Sequence, residues 1–95
     1  MTYQALPNQL HIKDSPIAGQ GIFAKETVPA GHELGMSHIM HNDEIYRTPL
    51  GGFINHSDDP NCQKYPKDNF YFIKTIKDIR KGEELFLNYS FYKIN

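Results

Sequence analysis

The feature that most limits what this chain can become is its punctuation. Each apolar segment is short and soon meets Gly, Pro, Asn or Asp. A helix needs an apolar stripe sustained over about ten residues or more, whereas a strand needs only roughly four to eight between turn formers. The pattern therefore reads as strands and turns. Leu10-His11-Ile12-Lys13 alternates and stops at Asp14-Ser15-Pro16, and Ile22-Phe23-Ala24 follows Gly19-Gln20-Gly21. His32 to Met40 reads as one strand or a strand pair broken at Gly35. Phe70 to Ile76 is the strongest strand, with Tyr71, Ile73 and Thr75 on one face and Phe70, Phe72, Lys74 and Ile76 on the other. Leu85-Phe86-Leu87 follows a turn at Lys81-Gly82. The one helical candidate is a turn capped by Asn42-Asp43-Glu44, running to Arg47 and ended by Pro49.

A short internal echo strengthens the β reading. Val28-Pro29-Ala30-Gly31-His32-Glu33-Leu34 matches Ile79-Arg80-Lys81-Gly82-Glu83-Glu84-Leu85 at an offset of 51 residues. Each copy runs apolar-x-x-Gly-x-Glu-Leu: a strand end, a turn whose Gly is free to take positive φ, then a new strand. Two copies are too few for a solenoid, so they predict two similar β-turn-β units within one mostly antiparallel fold.

At 95 residues the chain makes one domain. Such a chain hides only about 60–65% of its unfolded surface. The conformational entropy to be offset is about 100 kcal/mol or more, which leaves no core for a second module. Ten Lys+Arg against eleven Asp+Glu give a net charge of −1, so nucleic acid held by global charge is not expected. The basic excess between Lys64 and Lys81 reads as a solvated face able to steer an acidic partner. The lone Cys62 closes no intrachain disulfide and makes no zinc cluster, and it is expected to pack beside its loop. His11, His32, His38 and His41 match no strong ligand spacing, so no metal site is expected. No apolar run approaches the roughly 20 residues of a membrane span, and MTYQALPNQL lacks the regions of a signal peptide. The expectation is an intracellular protein, in the cytoplasm or, if viral, the host nucleus, with no membrane partner.

Three segments carry chemistry: Ser15 to Ala24, with its Gly-Gln-Gly; Gly52-Phe53-Ile54-Asn55-His56-Ser57-Asp58-Asp59-Pro60-Asn61-Cys62; and Lys81-Gly82-Glu83-Glu84-Leu85-Phe86-Leu87-Asn88-Tyr89-Ser90-Phe91. Singly each has a plain structural reading. Gly-Gln-Gly is a tight turn without the third Gly and following helix of a dinucleotide site. Asn55-His56-Ser57 is a set of polar loop side chains capping backbone groups, and Tyr89 is a half-buried strand tyrosine.

In this order they are specific. The chain resembles the SET-domain family of S-adenosylmethionine-dependent protein-lysine N-methyltransferases over about Leu10 to Tyr92. The resemblance rests on a G-x-G turn opening a strand, then F-I-N-H-S-x-x-P-N-C, then G-E-E-L-x-x-x-Y. It is similar to the minimal viral and bacterial versions, without the flanking cysteine-rich zinc segments. It implies a mostly β, β-clip-like fold of small curved sheets with a C-terminal pseudoknot that threads one strand under a loop. On that scheme residues 1–8 form an N-terminal extension and 35–51 a very short insert region, within a single domain spanning 1–95.

The same resemblance implies the site. S-adenosylmethionine would meet the backbone of Ala18, Gly19, Gln20 and Gly21. Asn55 would hold its methionine part through the side-chain amide and His56 its adenine through main-chain groups, with Tyr89 and Phe91 completing the pocket. Tyr46, Phe53, Leu87 and Phe91 would line the channel for the substrate lysine. Tyr89 is the catalytic candidate, because a phenol at the channel floor can hydrogen-bond the incoming amine and aim its lone pair. A donor that is already a sulfonium needs orientation more than a strong base, and its charge lowers the pKa of a nearby lysine. Departures from the family pattern are Gln20 in place of a frequent Trp, Gly52 in place of Arg and Asp58 in place of Cys. Leu87 supplies no hydroxyl and Phe91 replaces a common tyrosine, which leaves room for more than one methyl group unless Tyr46, Tyr65 or Tyr92 supplies a hydroxyl. Retention of Asn55-His56 with Tyr89 favours an enzyme over a non-enzymatic module that binds cofactor, dimerises or docks; small-molecule amine methylation stays open.

The expected partners are a protein substrate presenting a lysine and a neighbour that completes the groove wall, a second copy of the chain or else a partner protein. Seventeen residues (35–51) stand where larger relatives carry a groove wall, and so bare a core exposes apolar surface that a neighbour would cover. Sedimentation velocity at micromolar concentration is expected to show a homodimer; a clean monomer would reject it.

Overall fold

A computed structural model of the chain describes residues 6–88. Among these, eight strands and one short helix follow in the order β1 (Leu10–Asp14), β2 (Gln20–Ala24), β3 (Glu33–His41), β4 (Glu44–Arg47), α1 (Pro49–Phe53), β5 (Asn55–His56), β6 (Cys62–Lys67), β7 (Phe70–Thr75) and β8 (Phe86–Leu87). They form three small sheets: β1-β2 antiparallel, β4-β3-β7-β6 antiparallel, and β5-β8 parallel. The mostly β architecture of small sheets is the one the sequence predicts. The parallel β5-β8 pair joins the Asn55 segment to the C-terminal segment; the chain from Tyr89 onward, where the sequence places the threading, lies outside the described residues.

The echo turns out to be a structural symmetry. Its two leading residues pair with each other, Val28 N–H donating to Ile79 O at 2.7 Å and Ile79 N–H to Val28 O at 2.8 Å. Gly31 N–H then donates to Thr75 O while Gly82 N–H donates to Ala24 O, both at 2.8 Å. Thr75 N–H reaches His32 O and Ala24 N–H reaches Glu83 O, both at 2.9 Å. Each bond has a twin displaced by 51 residues in both partners, so the two units are related by a local two-fold. Gly31 (φ +81) and Gly82 (φ +91) sit in the left-handed region that a side chain resists. The symmetric pairs Ile22/Ile73, Val28/Ile79 and Leu34/Leu85 supply half of the core cluster, which Leu10, Ala24, Leu50, Ile54, Cys62 and Leu87 complete.

Two local readings are corrected. The Asn42-Asp43-Glu44 segment caps no helix: Asn42 (φ +52) and Asp43 (φ +66) form the two-residue turn of the β3-β4 hairpin. Paired positive φ values match the twist of the flanking strands, and Asn and Asp tolerate them. The helix instead starts where the sequence had it stop. Thr48 caps it, its Oγ1 accepting from Gly51 N–H, and Pro49 opens it, where a missing N–H costs nothing. The region 35–51, read as an insert, is thus most of the β3-β4 hairpin plus the start of α1. Strand β6 escaped notice because Cys-Gln-Lys-Tyr-Pro-Lys is polar and contains Pro66; as the sheet's edge it tolerates a residue with no N–H to donate. At Gly35 the chain runs on as one strand, but its register against β7 slips on either side.

Removing bulk at the two-fold crossing should be costly. Ile79→Ala is expected to lower unfolding stability by about 2–5 kcal/mol, whereas Ile76→Ala, at a residue 42% exposed, should stay within about 0.5 kcal/mol. Urea unfolding of the two variants checks this.

Candidate active site

The three segments singled out in the sequence converge on one carboxylate. Between β1 and β2 the chain turns tightly, Ser15 N–H donating to Gly19 O at 2.8 Å, and Gly19 (φ +47) closes the turn. The Ser15 hydroxyl accepts from Ile17 N–H and spends its own proton on Glu84, lying 2.8 and 2.9 Å from the two carboxylate oxygens. Asn55, at the start of β5, donates from Nδ2 to Glu84 Oε2 at 2.7 Å and to the carbonyls of Ala18 and Gln20 at 3.2 and 3.3 Å. Glu84 is only 8% exposed, and among the described residues no Lys, Arg or His forms an ion pair with it.

This donor set settles which way the Asn55 amide points. All three partners are acceptors, so only the NH2 group can face them, and Oδ1 must face away. Asn61 ties the opposite side: its Nδ2 donates to Glu84 O at 2.9 Å and its Oδ1 accepts from Phe86 N–H at 2.8 Å, in effect extending the ladder beside β8. The main chain continues the link, with Asn55 opposite Phe86, His56 opposite Leu87, and Ser57 N–H donating to Leu87 O at 2.9 Å.

Of the residues the sequence put at the site, Ala18, Gly19, Gln20, Gly21, Asn55 and the His56 backbone gather at this junction. Gly21 has a reason the sequence did not reveal. A Cβ there would lie 2.2 Å from Glu84 Oε2 and 3.0 Å from Asn55 Nδ2, so the room left by the absent side chain belongs to the carboxylate. The His56 ring turns to the surface, its Nε2 3.2 Å from Asp58 Oδ1. Phe53 ends α1 two residues before Asn55 and is partly exposed, while Leu87 is buried within the core cluster. Tyr46 stands on the edge strand β4 with its hydroxyl donating to Glu44 at 2.8 Å. The Tyr65 hydroxyl is bound to Glu33, a bond that pushes its pKa up to about 12. Both phenols therefore have local carboxylate partners. Tyr89 and Phe91 lie outside the described residues, as does Tyr92.

Sequence reasoning missed Ser15, Asn61 and above all Glu84. A signal existed for the last: a glycine inside a strand marks the close approach of something, and Gly21 is such a glycine. Cys62 is buried beside the site loop, and burial pushes its thiol up to about 12, which leaves it inert as a nucleophile at neutral pH.

The comparisons with known proteins bear on the fold. A model of the SET domain matches residues 35–90. Among solved structures, a candidate histone methyltransferase of Plasmodium falciparum superposes with a TM-score of 0.71 at 18% identity, over 87% of this chain and 94% of that one. The SET domain of the RIZ1 tumour suppressor superposes at 0.73 and 17% identity, over 90% and 72%. A humanized mutant of the Chaetomium thermophilum Polycomb Repressive Complex 2 gives 0.65 and 23% over 84% of this chain, which spans only 14% of the length of that one. No curated protein matches in sequence. The chain belongs to the SET-domain family, whose members are in general protein-lysine methyltransferases. Among the described residues no helix is long and apolar enough to cross a membrane.

Filling the space at Gly21 should break the junction. Gly21→Ala is expected to cost about 1–3 kcal/mol and so to lower Tm by roughly 4 °C or more. At Gly52 an added Cβ meets nothing within 4 Å, and Gly52→Ala should leave Tm nearly unchanged; thermal unfolding of both variants decides it.

Proposed function

We propose that this chain transfers a methyl group from S-adenosylmethionine to the side-chain amine of a protein lysine. The observation that carries the reading is Asn55. Its amide hydrogens are committed to Ala18, Gln20 and Glu84, and Oδ1 is left as the acceptor for an ammonium group. An α-amino acid end suits that acceptor, and the buried negative charge of Glu84 behind it suits a cationic ligand.

When bound, S-adenosylmethionine supplies a methyl group already activated by its sulfonium. The chain's residues have the remaining work. Asn55 and the Ala18–Gly21 turn hold the amino-acid end, and main-chain groups of β5 hold the adenine. The Tyr89 hydroxyl receives the lysine nitrogen and orients its lone pair; orientation of this kind contributes several kcal/mol when reacting groups are held at near-attack distance. The lysine sheds its proton to solvent before transfer, so no strong base is required. The His56 ring, paired with Asp58 at the surface, is not needed as one. Histones and other cellular proteins are the substrate class to try first, given the candidate histone methyltransferase among the structural neighbours.

The test joins binding to turnover. Isothermal titration should show S-adenosylmethionine binding, and protein mixtures incubated with the wild-type chain should gain methyl groups on lysine by mass spectrometry. Tyr89→Phe should lose roughly 100-fold in turnover while cofactor affinity is kept. Binding without transfer to any substrate would instead establish a cofactor-binding module, and absence of binding would reject the reading.

A further inference from the structure

Glu84 is a carboxylate placed where carboxylates are expensive. It is 8% exposed, and no cation of the described residues neutralises it. A buried, ionised group without a counter-charge survives only if hydrogen bonds replace its hydration or a ligand brings the missing charge. The hydrogen bonds are present but neutral: one hydroxyl, from Ser15, and one amide, from Asn55. A fold in need only of packing would place an apolar side chain in this spot. Gly21 instead gives up its own side chain to make room for the carboxylate.

We infer that Glu84 is a positioning residue of the donor pocket. It holds the Asn55 amide in the one orientation that presents Oδ1, and its charge makes the pocket select the α-ammonium group of an amino-acid end. The inference rests on the reading of the pocket given above and deepens it by naming the group that sets its selectivity. Glu84 acts through Asn55, whose Nδ2 lies between the carboxylate and the turn carbonyls. Ser15 is the outer support, since its hydroxyl spans both carboxylate oxygens.

The experiment uses the full chain and three ligands: S-adenosylmethionine, S-adenosylhomocysteine, and 5′-methylthioadenosine, which keeps the nucleoside but lacks the amino-acid end. Glu84→Gln preserves shape and an oxygen for Asn55 but removes the charge. It is expected to keep the wild-type Tm within a few degrees and to bind the first two ligands about tenfold more weakly. Affinity for 5′-methylthioadenosine should stay within about twofold, and KM for the donor should rise with kcat nearly constant. Repeated on an Asn55→Ala background, the same substitution should cost less than about twofold, because the residue it acts through is gone. Should Glu84→Gln fail to fold, Ser15→Ala loosens the carboxylate without touching its charge, and a loss confined to the two amino-acid-bearing ligands is again expected. Unchanged binding of S-adenosylmethionine, an equal loss for 5′-methylthioadenosine, or full additivity with Asn55→Ala overturns the inference. Wild-type protein that binds neither amino-acid-bearing ligand overturns the reading of the pocket itself, and this inference with it.

Discussion

A single buried carboxylate holds together what the rest of the chain can only bring near. Glu84 receives the turn after β1 through Ser15 and the start of β5 through Asn55, while its own backbone carbonyl is taken by Asn61. Each bond is worth about 0.5–1.5 kcal/mol net, or up to about 3 where one partner is charged. Leaving any of these groups buried without its partner would cost as much again. The arrangement is therefore strongly cooperative: the turn, the strand pair and the loop from Asp58 to Cys62 adopt their positions together.

Around that junction the fold economises by using one device twice. The Val28–Ile79 crossing and its flanking bonds repeat under a 51-residue offset, so a chain too short for a large core builds half of it from three symmetric pairs. The side chains do not follow the main-chain symmetry at Glu84. Glu33, the twin of Glu84, is exposed and bonds the Tyr65 hydroxyl, whereas Glu84 is buried against Gly21. The twin of Gly21 is Phe72, which leaves no such space. The site thus arises where the two units differ.

Much of the β framework was legible because alternation and turn chemistry are local. The strands β1, β2, β7 and β8 and the two glycine turns of the echo follow from residues a few positions apart. The readings that failed were those in which a local signal has two outcomes. Pro49 both ends and begins helices, and Asn42-Asp43 both caps helices and makes hairpin turns; the neighbouring strand β3, which pairs with β4, chose between them. Strand β6 was hidden because its polar residues and Pro66 suit an edge, and being an edge is a property of the sheet and not of the segment.

The family and its motifs were readable from residue order alone, since Gly-Gln-Gly, Asn-His-Ser and Gly-Glu-Glu-Leu lie in an order and spacing that few other chains share. Which glutamate of the last motif turns inward could not be read so. Glu83 and Glu84 are chemically identical, and only the packing of β2 against the 84–86 segment, with Gly21 opposite, puts one at the surface and the other under Asn55. Burial and partnership are long-range properties, decided by contacts between residues 63 positions apart, and no window on the sequence contains both.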